Sequence, residues 1–319
     1  MKVLITGGAG FIGSHLAELL IKKGKSVVVI DDLSTGKLEN ISHLKDNPRF
    51  SYHIDTIMNQ KLMDAIVRDV DAIYHLAAAV GVKYIMDNPV RSIETNVFGT
   101  EIVLSLANKH HKKVLIASTS EIYGKNGKVP FKEDSDSVWG PTYFHRWSYS
   151  CTKAVDEFLA LAYWREKKTP IVIARLFNTC GPRQSGDYGM VIPRFIKQAL
   201  LNQPISVYGS GKQTRCFSYV GDVVEGLSAL MDTSKAIGEV FNIGSDEEIN
   251  ISDLARKIKQ LTKSSSAINF LSYRDVYGEF FEDMDRRVPD LTKIKRIIGY
   301  TPKTSLEELL KITIRSFQE

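Results

Sequence analysis

The 319-residue sequence is poor in cysteine. Its three thiols, Cys151, Cys180 and Cys216, are odd in number and have no metal-ligand spacing. That excludes a disulfide framework and suits reduced thiols in the cytoplasm. No apolar run approaches the ~18 residues of a membrane-spanning helix, so no membrane segment is expected. Met1-Lys2 leads directly into Val3-Leu4-Ile5, which leaves no room for a signal peptide. Glycine (22) and proline (10) are too sparse and too scattered for a collagen-like or low-complexity chain, and no internal repeat is found. Long charge runs are also missing: 42 basic residues face 37 acidic ones, a net +5, so a nucleic-acid groove is not expected. His15, His75, His110 and His111 share no metal spacing, His75 reads as a core residue at a strand end, and no metal site is expected. What remains is a globular composition, 43% apolar and 25% charged.

Short β-branched runs alternate with amphipathic stretches. Lys2–Thr6, Ser26–Ile30, Ala72–His75, Lys113–Ala117 and Ile171–Arg175 read as buried parallel strands. Between them, Ile12, Leu16, Leu19 and Leu20 recur at helical spacing, as do Ile93, Val97, Thr100 and Leu104, and Val155, Leu159 and Ala162. The alternation predicts an α/β fold, a Rossmann-like doubly wound parallel sheet over residues 1–180. After residue 180 the turns crowd together at Gly181-Pro182, Gly186, Asn202-Gln203-Pro204 and Gly209-Ser210-Gly211. A smaller C-terminal substrate lobe is expected over 181–319. It is partly interleaved, because Glu239–Ile243 reads as one more strand that rejoins the first sheet.

Thr6-Gly7-Gly8-Ala9-Gly10-Phe11-Ile12-Gly13 follows the first strand and opens the first helix. Gly7, Gly10 and Gly13 fit one dinucleotide spacing, and Gly8, Gly10 and Gly13 fit the other. Glycine permits the tight turn, the close approach of backbone to a pyrophosphate, and hard packing of helix on strand. The helix N-terminus, with Phe11 and Ile12, then faces the anion. Asp31 ends the second strand 18 residues after Gly13, placed to accept hydrogen bonds from ribose hydroxyls. Its neighbour is Asp32 rather than arginine, and two negative charges repel a 2′-phosphate, so NAD is expected in preference to NADP. Asp55, with Thr56, ends the third strand and either meets the adenine or is a solvated strand-end acid.

Tyr149 and Lys153 stand four residues apart in a helical pattern, hence on one face. A phenol titrates near ~10, and lowering that by about three units takes about 4 kcal/mol of differential stabilisation. A nearby ammonium and an oxidised nicotinamide are suited to supply it. Thr119 lies just past the strand Lys113–Ala117, where an open α/β sheet gathers its site. Tyr149 as base, Lys153 as its pKa setter and ribose ligand, and Thr119 as alcohol partner imply proton removal from a secondary alcohol with hydride transfer to NAD.

At these residues the chain resembles, over nearly its whole length, the extended short-chain dehydrogenase/reductases of the nucleotide-sugar epimerase, dehydratase and decarboxylase group. The motifs that carry the resemblance are the glycine loop, Asp31-Asp32-Leu33-Ser34-Thr35-Gly36, His75-Leu76-Ala77-Ala78, Thr95-Asn96, Thr119, Tyr149 to Lys153, and Phe177-Asn178. The resemblance implies cofactor contacts at Ser34, Thr35, Gly36, Leu76, Ala77, Ala78 and Asn96. It implies substrate contacts at Thr119, Asn178, Arg183, Val191, Val207, Tyr208, Arg215 and Tyr277, with backbone groups of Val207 pairing with the base of a UDP-sugar and Tyr208 near its ring; the plainer reading of that segment is a β-turn with a packed aromatic. A homodimer is implied as well, paired through the helices near 90–109 and 149–168.

The resemblance implies transient oxidation of the sugar at C4, after which the members diverge. Ser120-Glu121 departs from deoxythymidine-type 4,6-dehydratases, which place an aspartate where Ser120 stands. Thr-Ser-Glu is shared by GDP-mannose dehydratases and UDP-glucuronate decarboxylases, so Glu121 is either a base for C5 or a structural hydrogen-bonding group. Trp139-Gly140-Pro141, Arg146-Trp147-Ser148-Tyr149, Gln213 to Phe217 and Arg286-Arg287-Val288-Pro289 resemble decarboxylases. Arg287 matches an arginine that acts there as proton donor or carboxylate partner; the plainer reading is a salt bridge to Asp283 or Asp290. Arg215 matches a diphosphate ligand. The segment Tyr277 to Asp283 lacks the Arg-x-Gly-Asp of simple galactose-type epimerases. UDP-glucuronate decarboxylation therefore leads the expectations, followed by UDP-sugar 4-epimerisation and 4,6-dehydration. An NAD-sensing binding protein is the non-enzymatic alternative, disfavoured by an intact Thr119, Tyr149 and Lys153.

Overall fold

The structure is a computed structural model that describes residues 1–186, 189–278 and 282–318. The side chains of Val82, Lys83 and Tyr277 lie outside the description. So do Glu279, Phe280 and Phe281 of the segment singled out above.

Among the described residues, seven parallel strands form the main sheet: β1 (Lys2–Thr6), β2 (Ser26–Asp31), β3 (Phe50–Ile54), β4 (Ala72–His75), β5 (Lys113–Thr119), β6 (Ile171–Leu176) and β11 (Val240–Ile243). Their order across the sheet is β11-β6-β5-β4-β1-β2-β3. The direction of winding reverses between β1 and β4, and a crevice opens there at the carboxyl ends. This is the Rossmann-like doubly wound sheet that the alternating pattern predicts. The core strands are apolar throughout, as they must be when both faces are covered; Leu4, Ile30, Ile73, Ile116 and Ile173 have no exposed surface. β5 runs two residues beyond the stretch read from sequence, so Thr119 is its last residue, paired with Leu176.

Helices α1 (Phe11–Lys22) and α8 (Val220–Asp232) pack on one face, where Leu16, Leu20, Val223 and Leu227 are fully buried. Short α2 (Glu39–Ser42) follows β2 on that side. The other face carries α3 (Gln60–Arg68), α5 (Pro89–Lys109) and α6 (Arg146–Lys167), with α4 (Val82–Asp87) leading into α5. Pro89 at the first turn of α5 suits a position whose amide has no helical acceptor. The apolar periodicity of α6 is partly misleading. Val155 and Phe158 are exposed, whereas Ser150, Lys153, Asp156 and Glu157 are buried against the sheet.

The smaller lobe has its own core around Ile192, Phe195, Ile205, Leu254 and Leu309. It contains α7 (Val191–Leu200), α9 (Ile251–Leu261) and α12 (Leu306–Ser316). Its short ladders pair β10 (Ser218–Tyr219) with β7 (Thr179–Cys180), β12 (Glu248–Asn250) with β9 (Thr214–Cys216), and β13 (Ile268–Leu271) with β8 (Ile205–Tyr208). α10 (Tyr273–Tyr277) leads from β13 toward the crevice. Two of these helices are capped by side chains: Ser305 accepts from the Glu308 amide, and Asn250 from the Asp253 amide. The chain crosses between lobes more than once. α8, β11 and α11 (Thr292–Ile298) all return to the main sheet from beyond residue 181.

Candidate active site

A cavity of about 480 Å3 runs from the glycine loop, past the carboxyl ends of β1, β4, β5 and β6, to the smaller lobe. At one end, Gly7 has a positive φ of 71°, and a Cβ there would lie 2.8 Å from the Ala77 nitrogen. A Cβ on Gly13 would lie 2.3 Å from the Gly7 oxygen. The loop therefore tolerates no side chain at either position, and the first-turn amides of α1, which lack helical acceptors, remain for an anion. Gly10, Phe11 and Ile12 line the same wall.

Asp31, at the end of β2, accepts from the amides of Ala9 (2.9 Å) and Leu33 (2.8 Å). Burial raises its pKa, and these amides oppose the rise. A Cβ at Gly36 would come within 2.8 Å of this carboxylate, so Gly36 is what lets the following loop close over it. Asp32, Ser34, Thr35 and Asp55 line the cavity beside it. The Asp55 carboxylate is largely engaged by the Thr56 amide and the Asn59 side chain, while Thr56 accepts from the Met58 amide and does not reach the cavity. Leu76, Ala77 and Ala78 form the opposite wall. Asn96 acts behind them: it is buried, accepts from the Ala79 amide at 2.8 Å and donates to Thr152. The shape, the acid pair and the phosphate-sized amide nest fit a dinucleotide without a 2′-phosphate.

At mid-cavity the Thr119 hydroxyl neighbours the Tyr149 phenol and favours its ionised form, and Thr119 accepts from the Glu121 amide at 3.2 Å. Ser120 is buried in the turn between them. Burial, reinforced by the Glu121 carboxylate, pushes the Tyr149 phenol above its usual value. Lys153 does not line the cavity; its ammonium is 2.8 Å from Asp156 Oδ2, inside α6.

The far end is charged. Arg287 Nη2 lies 2.7 Å from Glu121 Oε1, and its Nη1 donates to Asn178 at 3.2 Å. Arg146 bridges Glu121 and Asp283, each at 3.0 Å. Arg215 reaches Asp283 at 2.9 Å, and the Tyr273 hydroxyl donates to the same carboxylate at 3.2 Å. Asp283, rather than Arg287, is thus the node that the plainer salt-bridge reading approached, and Arg287 pairs with Glu121 instead. Burial alone would raise both acids. The guanidiniums outweigh it, holding Glu121 below its usual value and Asp283 down to about 2. Burial also lowers the Arg287 pKa, and its Nε is buried with no hydrogen-bonding partner among the described residues. Among the described residues, three guanidiniums face two carboxylates here.

The remaining substrate candidates separate. Val191 and Tyr208 line the cavity, and the Arg194 guanidinium sits 3.5 Å above the centre of the Tyr208 ring. The Val207 side chain is fully buried in the core of the smaller lobe, which leaves only its backbone, as the sequence reading had it, for the base. Arg183 lies at the glycine-loop end, donating to Ser14 and paired with Glu18 of α1. The side chain of Tyr277 lies outside the description. The sequence reading gave no role to Tyr273, named Asp283 only as an alternative partner of Arg287, and named Arg146 only within a resembling segment, though Arg146 is one helical turn before Tyr149 and on its face. Among the described residues no cluster of metal-ligating side chains occurs, and no helix is long and apolar enough to cross a membrane.

A family model described as GDP-mannose 4,6 dehydratase matches residues 4–313. The chain is 46% identical to UDP-N-acetyl-alpha-D-glucosaminuronate decarboxylase of Bacillus cytotoxicus, covering 100% of this chain and 98% of that protein. It is 39% identical to UDP-glucuronic acid decarboxylase 1 of Xenopus tropicalis, covering 100% of this chain and 72% of the relative. The solved UDP-glucuronic acid 4-epimerase of Bacillus cereus, in complex with UDP-glucuronic acid and NAD, superposes with a TM-score of 0.90 at 33% identity, over 100% of this chain and 99% of that one. Family model, relatives and superposition agree with the motifs, and the chain belongs to the GDP-mannose 4,6 dehydratase family, within the extended short-chain dehydrogenases/reductases.

Proposed function

We propose that the protein is an NAD-dependent decarboxylase of a UDP-hexuronate, acting through transient oxidation at C4. The observation that carries the reading is the Arg287–Glu121 pair at 2.7 Å, in a guanidinium-rich pocket beside Tyr149 and Thr119. NAD would be held by the glycine loop, Asp31 and the Leu76–Ala78 wall, and supplies a hydride acceptor for C4. Tyr149 takes the C4 hydroxyl proton, and Thr119 aligns that hydroxyl. A ketone at C4 turns the C6 carboxylate into a β-keto acid. The C5–C6 bond then breaks, carbon dioxide leaves, and the electron pair passes through C5 onto the C4 oxygen. The protonated Tyr149 hydrogen-bonds that developing enolate. Arg287, with its unpartnered Nε, orients the carboxylate by forked hydrogen bonds. A proton from solvent or from Arg287 completes C5. Glu121 is tied to two guanidiniums and held below its usual pKa, which makes it a poor base for C5. Dehydration needs such a base; decarboxylation does not.

Arg215 and Asn178 are assigned to the diphosphate, and Tyr208 with Arg194 to the uracil. The 46% identity to an N-acetylglucosaminuronate decarboxylase favours a second reading of the sugar, with an acetamido group at C2. Val90, Phe98 and Phe158, all more than half exposed on α5 and α6, support the homodimer. The free thiols of Cys151, Cys180 and Cys216 support the cytoplasm. Purified protein supplied with NAD and, separately, UDP-glucuronate, UDP-N-acetylglucosaminuronate, UDP-glucose and UDP-N-acetylglucosamine tests the proposal by NMR. Carbon dioxide with a UDP-pentose or its 4-keto form from either hexuronate is expected. A C4 epimer as the only product would overturn it.

A further inference from the structure

Lys153, read from the sequence as the pKa setter of Tyr149 and a ribose ligand, does not line the cavity and is paired with Asp156 instead. Lys153 and Asp156 lie three apart on α6, on one face, at 2% and 0% side-chain exposure. Lys153 is not among the residues lining the cavity, and its ammonium is 2.8 Å from Asp156 Oδ2. Asp156 Oδ1 makes no hydrogen bond of ordinary length; the Thr100 hydroxyl of α5 is its polar neighbour. Thr100 Oγ1 is itself hydrogen-bonded to His75 Nε2 at 3.1 Å, and His75 Nδ1 to Thr6 Oγ1 at 2.8 Å. Thr6 Oγ1 accepts from the Ala77 amide at 3.2 Å, on the cofactor wall. A buried polar chain therefore links Asp156 to the end of β1, where the glycine loop begins.

We infer that Asp156 is a positioning residue: it holds the Lys153 ammonium within α6, and binding of the dinucleotide draws the ammonium to the cofactor while Asp156 takes up a proton. The inference rests on the proposed roles of NAD and Lys153. Once Lys153 turns away, no cation among the described residues takes its place on Asp156. On α6, Glu157 adds negative charge and is engaged by Arg175 of β6 at 2.7 Å. Tyr149, two turns earlier, offers no cation. From α5 comes only the neutral Thr100. At the end of β4, burial and then Lys153 lower the His75 pKa to about 3, so it stays neutral. A fully buried carboxylate stripped of its cation takes a proton rather than remain charged. Burial already biases Asp156 that way, with Lys153 opposing and Glu157 assisting. Asp156 also raises the Tyr149 pKa through space, so its neutralisation on loading favours the phenolate needed for turnover.

The test is calorimetric titration of the wild-type protein with NAD near pH 7.5, in buffers of different ionisation enthalpy, which reads protons bound per NAD without turnover. A net uptake approaching about one proton is expected for the wild type and none for Asp156→Asn. Lys153→Met, in which Asp156 is protonated before loading, is expected to show none either, and it replaces the first variant if that one fails to fold. Asp31, beside the ribose site, is present in every protein compared, so any proton it contributes cancels. NAD binding without uptake in the wild type, or equal uptake in wild type and variant, would overturn the inference. No NAD binding in any form would instead remove the cofactor assignment on which it rests. On the acid side of the pH profile, Asp156→Asn is expected to raise the rate about threefold relative to its plateau, because the Tyr149 limb moves down; a purely structural pair would leave that limb in place.

Discussion

The two ends of the cavity are built from different materials. The cofactor end is backbone: a glycine turn, the amides of α1 and a loop folded over Asp31, all from the first hundred residues. The sugar end is side-chain charge, with Glu121, Arg146, Arg215, Asp283 and Arg287 converging from four separate segments. Backbone recognition suits a ligand shared by a whole family, since it depends on shape and helix polarity. Side-chain recognition allows one scaffold to serve different sugars. Tyr149 stands where the two meet, so its loss has the largest expected effect. Tyr149→Phe should lower kcat by about a thousandfold while NAD affinity, followed by fluorescence titration, stays within about twofold. Loss of both together would mean that the two ends are not separable.

Damage confined to the sugar end comes next. Arg287→Met should lower kcat/KM for the hexuronate by roughly a hundredfold, as expected for loss of charge-assisted bonds to a carboxylate, and leave NAD binding unchanged. Equal loss for a neutral UDP-hexose would place Arg287 elsewhere. Damage confined to the cofactor end should show the reverse pattern. Gly13→Ala puts a Cβ 2.3 Å from the Gly7 oxygen and should weaken NAD by about tenfold or more, with UDP binding preserved in isothermal titration.

The smallest effect is on stability and depends on pH. Asp283 is held at about 2, below its usual 3.8. A carboxyl with a depressed native pKa contributes stability that is complete above the unfolded value and lost as pH falls through the folded one. Asp283→Asn should therefore cost roughly 2 kcal/mol in urea unfolding at neutral pH, and the gap should close between about pH 4 and pH 2. A gap that persisted unchanged at pH 2 would show that Asp283 acts by packing rather than charge.

The same contrast explains what the sequence disclosed. The glycine loop and the Tyr149–Lys153 spacing are local, so their physics is written in consecutive residues. The sheet was legible because β1, β2, β4, β5 and β6 are short and apolar between helical runs. Arg146 and Asp283 are 137 residues apart, and only the return of the chain from the smaller lobe brings them together. Their pairing has no local signature. α6 was read by its apolar stripe, but its buried side also carries the polar Ser150, Lys153, Asp156 and Glu157. Apolar residues at Val155 and Phe158 are left outside, and Asp156 is hidden behind a period that pointed elsewhere.

The central claim is that this site breaks the C5–C6 bond of a hexuronate and reprotonates C5. Turnover of UDP-glucuronate and UDP-N-acetylglucosaminuronate in D2O, followed by NMR and mass spectrometry, tests it most directly. A UDP-pentose, or its 4-keto form, that has lost the C6 carbon and carries deuterium at C5 is the predicted result. A six-carbon product inverted at C4 without deuterium at C5 would contradict it.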